Sequence, residues 1–216
     1  AAWVYYTSAR EYIAMYPWIS SKDFRFTDAL YTHDFYLLGL AERNPTRKQF
    51  WTRAYVDEAG KGLMVTCGSP VYENDHFLGT VSIDFTLDLL NQFTLNCPSR
   101  EATVFLVNDR NELLAHPTLV NSQDKEVKTI LDALPAELQG RIETLFQSNP
   151  LETVQAGSYI FFYHRLKNAP WRLVLIAPRL QLFTSHLTQS VPVLVVLLLG
   201  LTVMLLIATQ IGRAHV

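Results

Sequence analysis

Apolar and polar residues alternate in short runs along most of this chain, and the pattern is sharpest between Phe50 and Leu90. That stretch, FWTRAYVDEAGKGLMVTCGSPVYENDHFLGTVSIDFTLDLL, reads as strand, glycine-rich turn, strand, hairpin turn, strand and short helix. In its first strand Trp51, Arg53, Tyr55 and Asp57 alternate with Thr52, Ala54 and Val56. A period of two puts the first set on one face and the second on the other. An indole, a guanidinium, a phenol and a carboxylate on one face suit the wall of a small polar pocket better than a plain core. The last strand, Phe77 to Phe85, divides in the same way, with Phe77, Val81, Ile83 and Phe85 against Thr80, Ser82 and Asp84. The pattern predicts one sheet with an apolar back and a polar front.

Around this centre the elements follow in order. Residues 2–16 predict two β segments about a Thr-Ser-Ala-Arg turn, because Tyr and Val favour strands. Pro17 then breaks the pattern and leaves Tyr16 and Trp18 as large aromatics in a loop beside the expected pocket, open to ligand contact or to packing under the loop. The spacing of Leu30, Tyr31, Leu37, Leu38 and Ala41 predicts a helix from Asp28 to Ala41 behind Thr27. A second predicted helix runs from Thr86, its cap, to Leu95. Beyond the Asn96–Ser99 linker, Thr103–Val107 and Leu113–Ala115 predict a hairpin. Ser122 is expected to cap a helix carrying Val127, Ile130, Leu131 and Leu134, and Pro135 to start another. Strands follow at Gly157–Arg165 and Trp171–Ala177. The plan of strand, polar turn, strand and exit helix thus occurs twice, and in the second copy Leu173 to Ile176 replace the Thr/Ser/Asp face, so no ligand is expected there.

Composition changes the picture in three places. The chain of 216 residues is 49% hydrophobic and only 18% charged, the balance of a globular protein with one membrane segment, and Val191 to Ala208 carries no charge over the length that spans a bilayer. Arg213 beyond that span tilts its C-terminal side toward the cytoplasm. A net charge of −2 without a Lys/Arg cluster gives no footprint for nucleic acid. Two cysteines, Cys67 and Cys97, make no disulfide framework, whether they pair or stay as buried thiols, and no Cys/His spacing supports a metal or other cofactor. The start at AAWVYYTSAR, without Met or leader, is expected to be internal to a longer protein.

The runs WTRAYVD, GKGLMVT, SPVY and GTVSIDFTL, followed by FLVNDRNELLAHP, resemble the double Cache sensor domains of bacterial transmembrane receptors. The resemblance implies an α+β fold of two tandem PAS-like (Cache) lobes, each an antiparallel sheet flanked by helices, followed by one transmembrane helix. The corresponding boundaries are 1–97 for the membrane-distal lobe, 98–186 for the proximal lobe, 187–211 for the membrane helix and 212–216 for the start of the cytoplasmic region. It also implies a location in the bacterial inner (cell) membrane with residues 1–186 periplasmic or extracellular, a homodimer, and a missing output such as a histidine kinase, diguanylate cyclase or chemoreceptor signalling domain. Members that bind amino acids carry an Arg two residues before the Trp, a Tyr directly after it and an Asp on the later strand. Here Trp51 and Asp84 match, whereas Gln49 and Thr52 occupy the other two positions and neither Arg47 nor Arg53 has the required spacing.

The expected ligand-binding residues are therefore Trp51, Arg53, Tyr55, Asp57 and Asp84, with Tyr16 and Trp18 nearby. An Arg can clamp a carboxylate, an Asp can hold an ammonium, and aromatic faces attract a cation. Such a set suits an amine, an amino acid or another small metabolite. Arg53 and Asp57 could equally be an exposed cross-strand pair, and Asp84 a structural carboxylate. Asp57 and Asp84 as an acid/base pair have no nucleophile, phosphate loop or metal constellation beside them, so the chain itself reads as a sensor and not an enzyme. The remaining alternative is an ectodomain that only spaces or dimerises, or one that senses through a partner protein.

Overall fold

The computed structural model describes residues 2–96, 101–121, 123–150, 152–182, 184, 191 and 195–199. The apolar span Val191–Ala208, the expected cap Ser122 and the thiol of Cys97 fall wholly or mostly outside them. Among the described residues no helix is long and apolar enough to cross a membrane.

Two antiparallel sheets organise the chain. The first contains β1 (Val4–Ser8), β2 (Ile13–Tyr16), β3 (Phe50–Trp51), β4 (Tyr55–Val56), β5 (Leu63–Glu73) and β6 (His76–Thr86). Its order is β2-β1-β6-β5-β3, with β4 also paired to β5. The second contains β7 (Thr103–Asn108), β8 (Leu113–Ala115), β9 (Val154–Ala156), β10 (Tyr159–Arg165) and β11 (Trp171–Pro178), in the order β8-β7-β11-β10-β9. The first sheet and its covering loops are the distal lobe below, and the second sheet is the centre of the proximal lobe.

Several expected helices are shorter in the structure. The stretch predicted as one helix from Asp28 to Ala41 is a 3-10 turn over Asp28–Thr32 followed by α1, Asp34–Leu37. His33 separates them in an extended conformation, φ −82° and ψ 150°. That conformation stacks its ring on Phe35 and brings Nε2 to Glu58, so tertiary contacts override a weak local preference. The stripe after Val127 shortens to α3, Ile130–Ala133, and the helix expected from Pro135 divides into α4, Ala136–Gln139, and α5, Ile142–Gln147.

The helix α2, Leu87–Leu95, forms where the sequence predicts it, with Thr86 Oγ1 accepting from the Leu89 backbone N–H at 3.3 Å. Its Asn91 ties it to the proximal lobe by donating to the Val120 carbonyl at 2.8 Å and accepting from the His116 N–H at 2.7 Å. Thr86→Ala is expected to lower unfolding stability by about 1 kcal/mol, the usual value of a helix cap, read as a shift in urea midpoint.

The two faces of the first sheet have different fates. Its inner face carries Thr7, Thr66, Thr80, Ser82 and Asp84, all buried beneath the segment that holds Leu30, Phe35 and Tyr36. The polar front is thus an interior surface. Its outer face is split: Leu63 and Val65 join Leu87, Leu90 and the proximal core, whereas Val4, Val81 and Ile83 are exposed. A continuous apolar core therefore runs from the lower outer face of the distal sheet into the proximal lobe, with Phe105, Leu113, Leu114, Leu138 and Phe161 at its centre.

Candidate functional site in the distal lobe

The inner face of the first sheet closes around a pocket, and β6 places Asp84 at its floor. Asp84 is 2% exposed. Its Oδ1 accepts hydrogen bonds from Thr66 Oγ1 at 2.7 Å, from the Tyr5 hydroxyl at 3.1 Å and, at 3.5 Å, from the Tyr55 hydroxyl. All three bonds fall on one oxygen, which leaves Oδ2 for the pocket that Asp84 lines. Burial pushes the carboxyl up to about 7; the Thr66 and Tyr5 hydroxyls pull against that shift, and the nearby Asp57 charge adds to it. Burial likewise raises the Tyr5 and Tyr55 phenols, so both stay neutral donors.

The rim is made by the turn from Asp57 to Gly62. Gly60 and Gly62 have φ of 87° and 84°, which the turn requires and which other residues adopt at a cost. Asp57 binds its own turn, Oδ1 accepting from Ala59 N–H at 3.1 Å and Oδ2 from Lys61 N–H at 2.8 Å. The same Oδ2 accepts from Trp3 Nε1 at 3.1 Å, fastening the turn to β1. Beside it, Glu58 Oε1 lies 3.0 Å from His33 Nε2. The free space between these side chains is about 30 Å³, roughly the share of one water, below an open mouth, so a larger ligand is admitted only as the lining moves apart.

Of the expected site residues, the structure brings Tyr55, Asp57 and Asp84 together here. Trp51 lies on the other face of the sheet. It pairs with Cys67, whereas Tyr55 pairs with Met64, so the edge segment advances four residues while β5 advances three. One extra residue reverses the facing of every side chain beyond it. Thr52 sits in this irregularity, its Oγ1 accepting from Thr66 N–H at 2.9 Å. Arg53 projects outward with its Nε 3.1 Å from Asp34 Oδ2, the alternative reading of an exposed ion pair but with a different partner. Tyr16 is in the outer-face row Tyr16–Val4–Ile83–Cys67, and it is 73% exposed. Trp18 is 82% exposed and borders a shallower recess that shares Ile13, Met15 and Phe24 with the pocket.

Trp51 instead sits at the seam between the lobes. Its ring centroid is 4.4 Å from that of Trp171, and its Nε1 donates to the Asn168 carbonyl at 3.0 Å. Close by, Ala54 N–H donates to Glu112 Oε2 at 3.1 Å, and Glu112 also accepts from Asn108 Nδ2 at 2.6 Å. Trp51→Ala is expected to cost about 2 kcal/mol of stability through lost packing and one hydrogen bond. Ligand affinity should stay within about threefold, because the side chain is remote from the pocket. Urea unfolding and calorimetry of the variant measure the two effects separately.

Sequence reasoning missed Trp3, Tyr5, Thr66, His33 and Glu58. Trp3 and Tyr5 share one face of β1 by period two, but only the pairing of Tyr5 with Ser82 puts that face beside Asp84. Among the described residues no group of three or more His, Cys, Asp or Glu side chains is placed to hold a metal ion.

Two PAS-like antiparallel sheets in series, with a pocket in the first, give the chain the fold of tandem PAS-like (double Cache) domains. Residues 2–92 match the family model "Methyl-accepting chemotaxis protein-like, first PDC sensor domain". Solved structures share the fold at low identity. The ligand-binding domain of the Pseudomonas aeruginosa amino-acid chemoreceptor PctB, in complex with L-Arg, aligns with TM-score 0.61 and 14% identity over 88% of this chain and 71% of its own. The ligand-binding domain of the Pseudomonas fluorescens chemoreceptor CtaA, in complex with L-serine, gives 0.57 and 19% over 82% and 72%. The extracellular domain assigned to a histidine kinase, mmHK1S-Z3, gives 0.63 and 17% over 86% and 76%. No curated protein matches the sequence.

Proposed function

We propose that this chain is the periplasmic sensing region of a bacterial membrane receptor, and that its distal pocket binds a small amine through Asp84. The observation that carries this reading is the charge of the lining. Asp57, Glu58 and Asp84 contribute carboxylates, Trp3, Tyr5 and Tyr55 contribute aromatic surface, and His33 is the only basic side chain among the lining residues. Carboxylates and aromatic faces both attract cations, and a ligand carboxylate finds no guanidinium or ammonium on this lining. Amino acids, the ligands of the PctB and CtaA complexes, also present an ammonium, so the same pole would serve an amino acid whose carboxylate stays at the open side.

Binding would act through the edge segment. Tyr55 at the pocket and Ala54 and Trp51 at the seam lie on one stretch of chain, so a shift at the first moves the others. From the seam the change would pass through the proximal lobe and the apolar segment 191–208, in a homodimer, to a cytoplasmic output. A ligand drives this equilibrium only by its preference for one state over the other. Thermal unfolding of the full chain in mild detergent, against amines, amino acids, carboxylates and purines, tests the reading. Stabilisation by amine-bearing compounds, weakened by Asp84→Asn, is expected; stabilisation confined to carboxylates or purines overturns it.

A further inference from the structure

A second recess lies in the proximal lobe, between the end of α2, the start of β7 and the turn that follows β8. It holds about 260 Å³ of free space, against about 30 Å³ in the distal pocket, and the two share no lining residue. Its floor includes the side chain of His116, which is 6% exposed. Nδ1 of that ring accepts from the backbone N–H groups of Thr118 at 3.1 Å and Leu119 at 3.2 Å. Burial, and then the charge of Lys128, hold the imidazole below its ordinary value, so the ring is neutral at pH 7. In a neutral ring an accepting Nδ1 places the proton on Nε2. That Nε2–H is a donor without a partner among the described residues. A buried donor left without an acceptor is costly, and the ring that carries it lines the recess.

Among the described residues that line the recess there is no Asp, Glu, Lys or Arg, and Leu95, Val104 and Pro117 give it apolar walls. Thr94 uses its hydroxyl on the Asn91 carbonyl at 2.9 Å. The helix α2 ends here and presents its carbonyl end, which disfavours an anion that would find no cation on the lining. We infer that the recess is a second ligand site, taking a small uncharged molecule with an apolar body and a carbonyl oxygen that accepts from His116 Nε2. The site is independent of the amine reading of the distal pocket. Its position gives a ligand a hold on the joint between the lobes. Asn91 of α2 accepts from the His116 backbone N–H at 2.7 Å, so the residue that meets the ligand already ties the connecting helix to the proximal sheet.

The test is nuclear magnetic resonance of the full chain in mild detergent, with nitrogen-labelled histidine and two probes of one shape, benzamide and benzoate. The chain has six histidines. The His116 signal is identified by its absence from His116→Asn, whose amide oxygen stands in for Nδ1, and by holding its neutral form below the ordinary range of an imidazole. In the wild type that ring is expected to carry its proton on Nε2, and the Nε2 signal to shift saturably with benzamide. Benzoate should bind about tenfold more weakly or worse, because nothing on the lining matches its charge. Leu95→Trp, at the exposed rim, should remove the benzamide shift by filling the mouth, whereas Asp84→Asn should leave it unchanged. A His116 signal unmoved by benzamide overturns the site, as does a shift that survives Leu95→Trp or is lost in Asp84→Asn. Benzoate binding as tightly as benzamide overturns the uncharged class of ligand, and a proton found on Nδ1 overturns the donor.

Discussion

Asp84→Asn is expected to lower the affinity of the distal pocket for an amine by about a hundredfold, the usual consequence of removing one charge from a buried ion pair. The substitution keeps the shape of the side chain and keeps an oxygen to accept from Thr66 and Tyr5. Asp84→Ala is a poorer test, since it strands those hydroxyls in the interior at about 1–3 kcal/mol for each one left unsatisfied. Titration calorimetry with 1-aminobutane measures the loss directly. Wild-type affinity in the Asn variant would mean that Asp84 is a structural carboxylate only, as its three hydroxyl donors alone would allow.

The second large effect is on stability against pH. An aspartate in an unfolded chain titrates near pH 4, whereas burial holds folded Asp84 up to about 7. Between those values the folded protein binds the extra proton, so stability falls as the pH rises. The contribution is fully present below the unfolded value and is lost as pH climbs through about 7, to a total of roughly 4 kcal/mol. The groups facing Asp84 are the neutral phenols of Tyr5 and Tyr55, the Thr66 hydroxyl and the carboxylate of Asp57. Only the last adds charge, and its effect has the same sign. Melting of the ligand-free chain between pH 4 and 8 should therefore show a downward slope that Asp84→Asn flattens. Amine affinity should move the opposite way, rising by at most about tenfold per pH unit below 7, because the cation requires the ionised carboxylate. A flat difference between wild type and variant across this range would remove the buried carboxylate from the account.

These effects centre on a residue that the sequence had singled out, and the reason is local. Thr80, Ser82 and Asp84 alternate with Val81, Ile83 and Phe85 on one strand, and β6 forms there without interruption from His76 to Thr86. Alternation on an unbroken strand survives folding, so Asp84 and its face were legible. The edge segment was not. Trp51, Arg53, Tyr55 and Asp57 alternate as cleanly, yet the extra residue between Trp51 and Tyr55 sends the indole to the lobe seam and the phenol to the pocket. Nothing in WTRAYVD marks that irregularity, because it is fixed by pairing with β5 and by Thr52 binding the Thr66 backbone. The helix expected over Asp28–Ala41 failed for a related reason, as His33 trades helical backbone for contacts with Phe35 and Glu58.

The sequence by itself determined the two-lobed strand plan, the capped helix between the lobes and the alternation that puts Asp84 on one face with Thr80 and Ser82, all of which depend on periodicity and caps within a single element. It also carried the family resemblance, which depends on runs of adjacent residues. Tertiary structure alone decided which face of each strand is interior, which aromatic residues surround Asp84, and that Glu58 and His33 meet at the rim. Those features depend on register between strands and on contacts between residues far apart in sequence, such as Tyr5 with Asp84 and Trp3 with Asp57. A shift of one residue in register reverses them, and no local pattern of side chains records it.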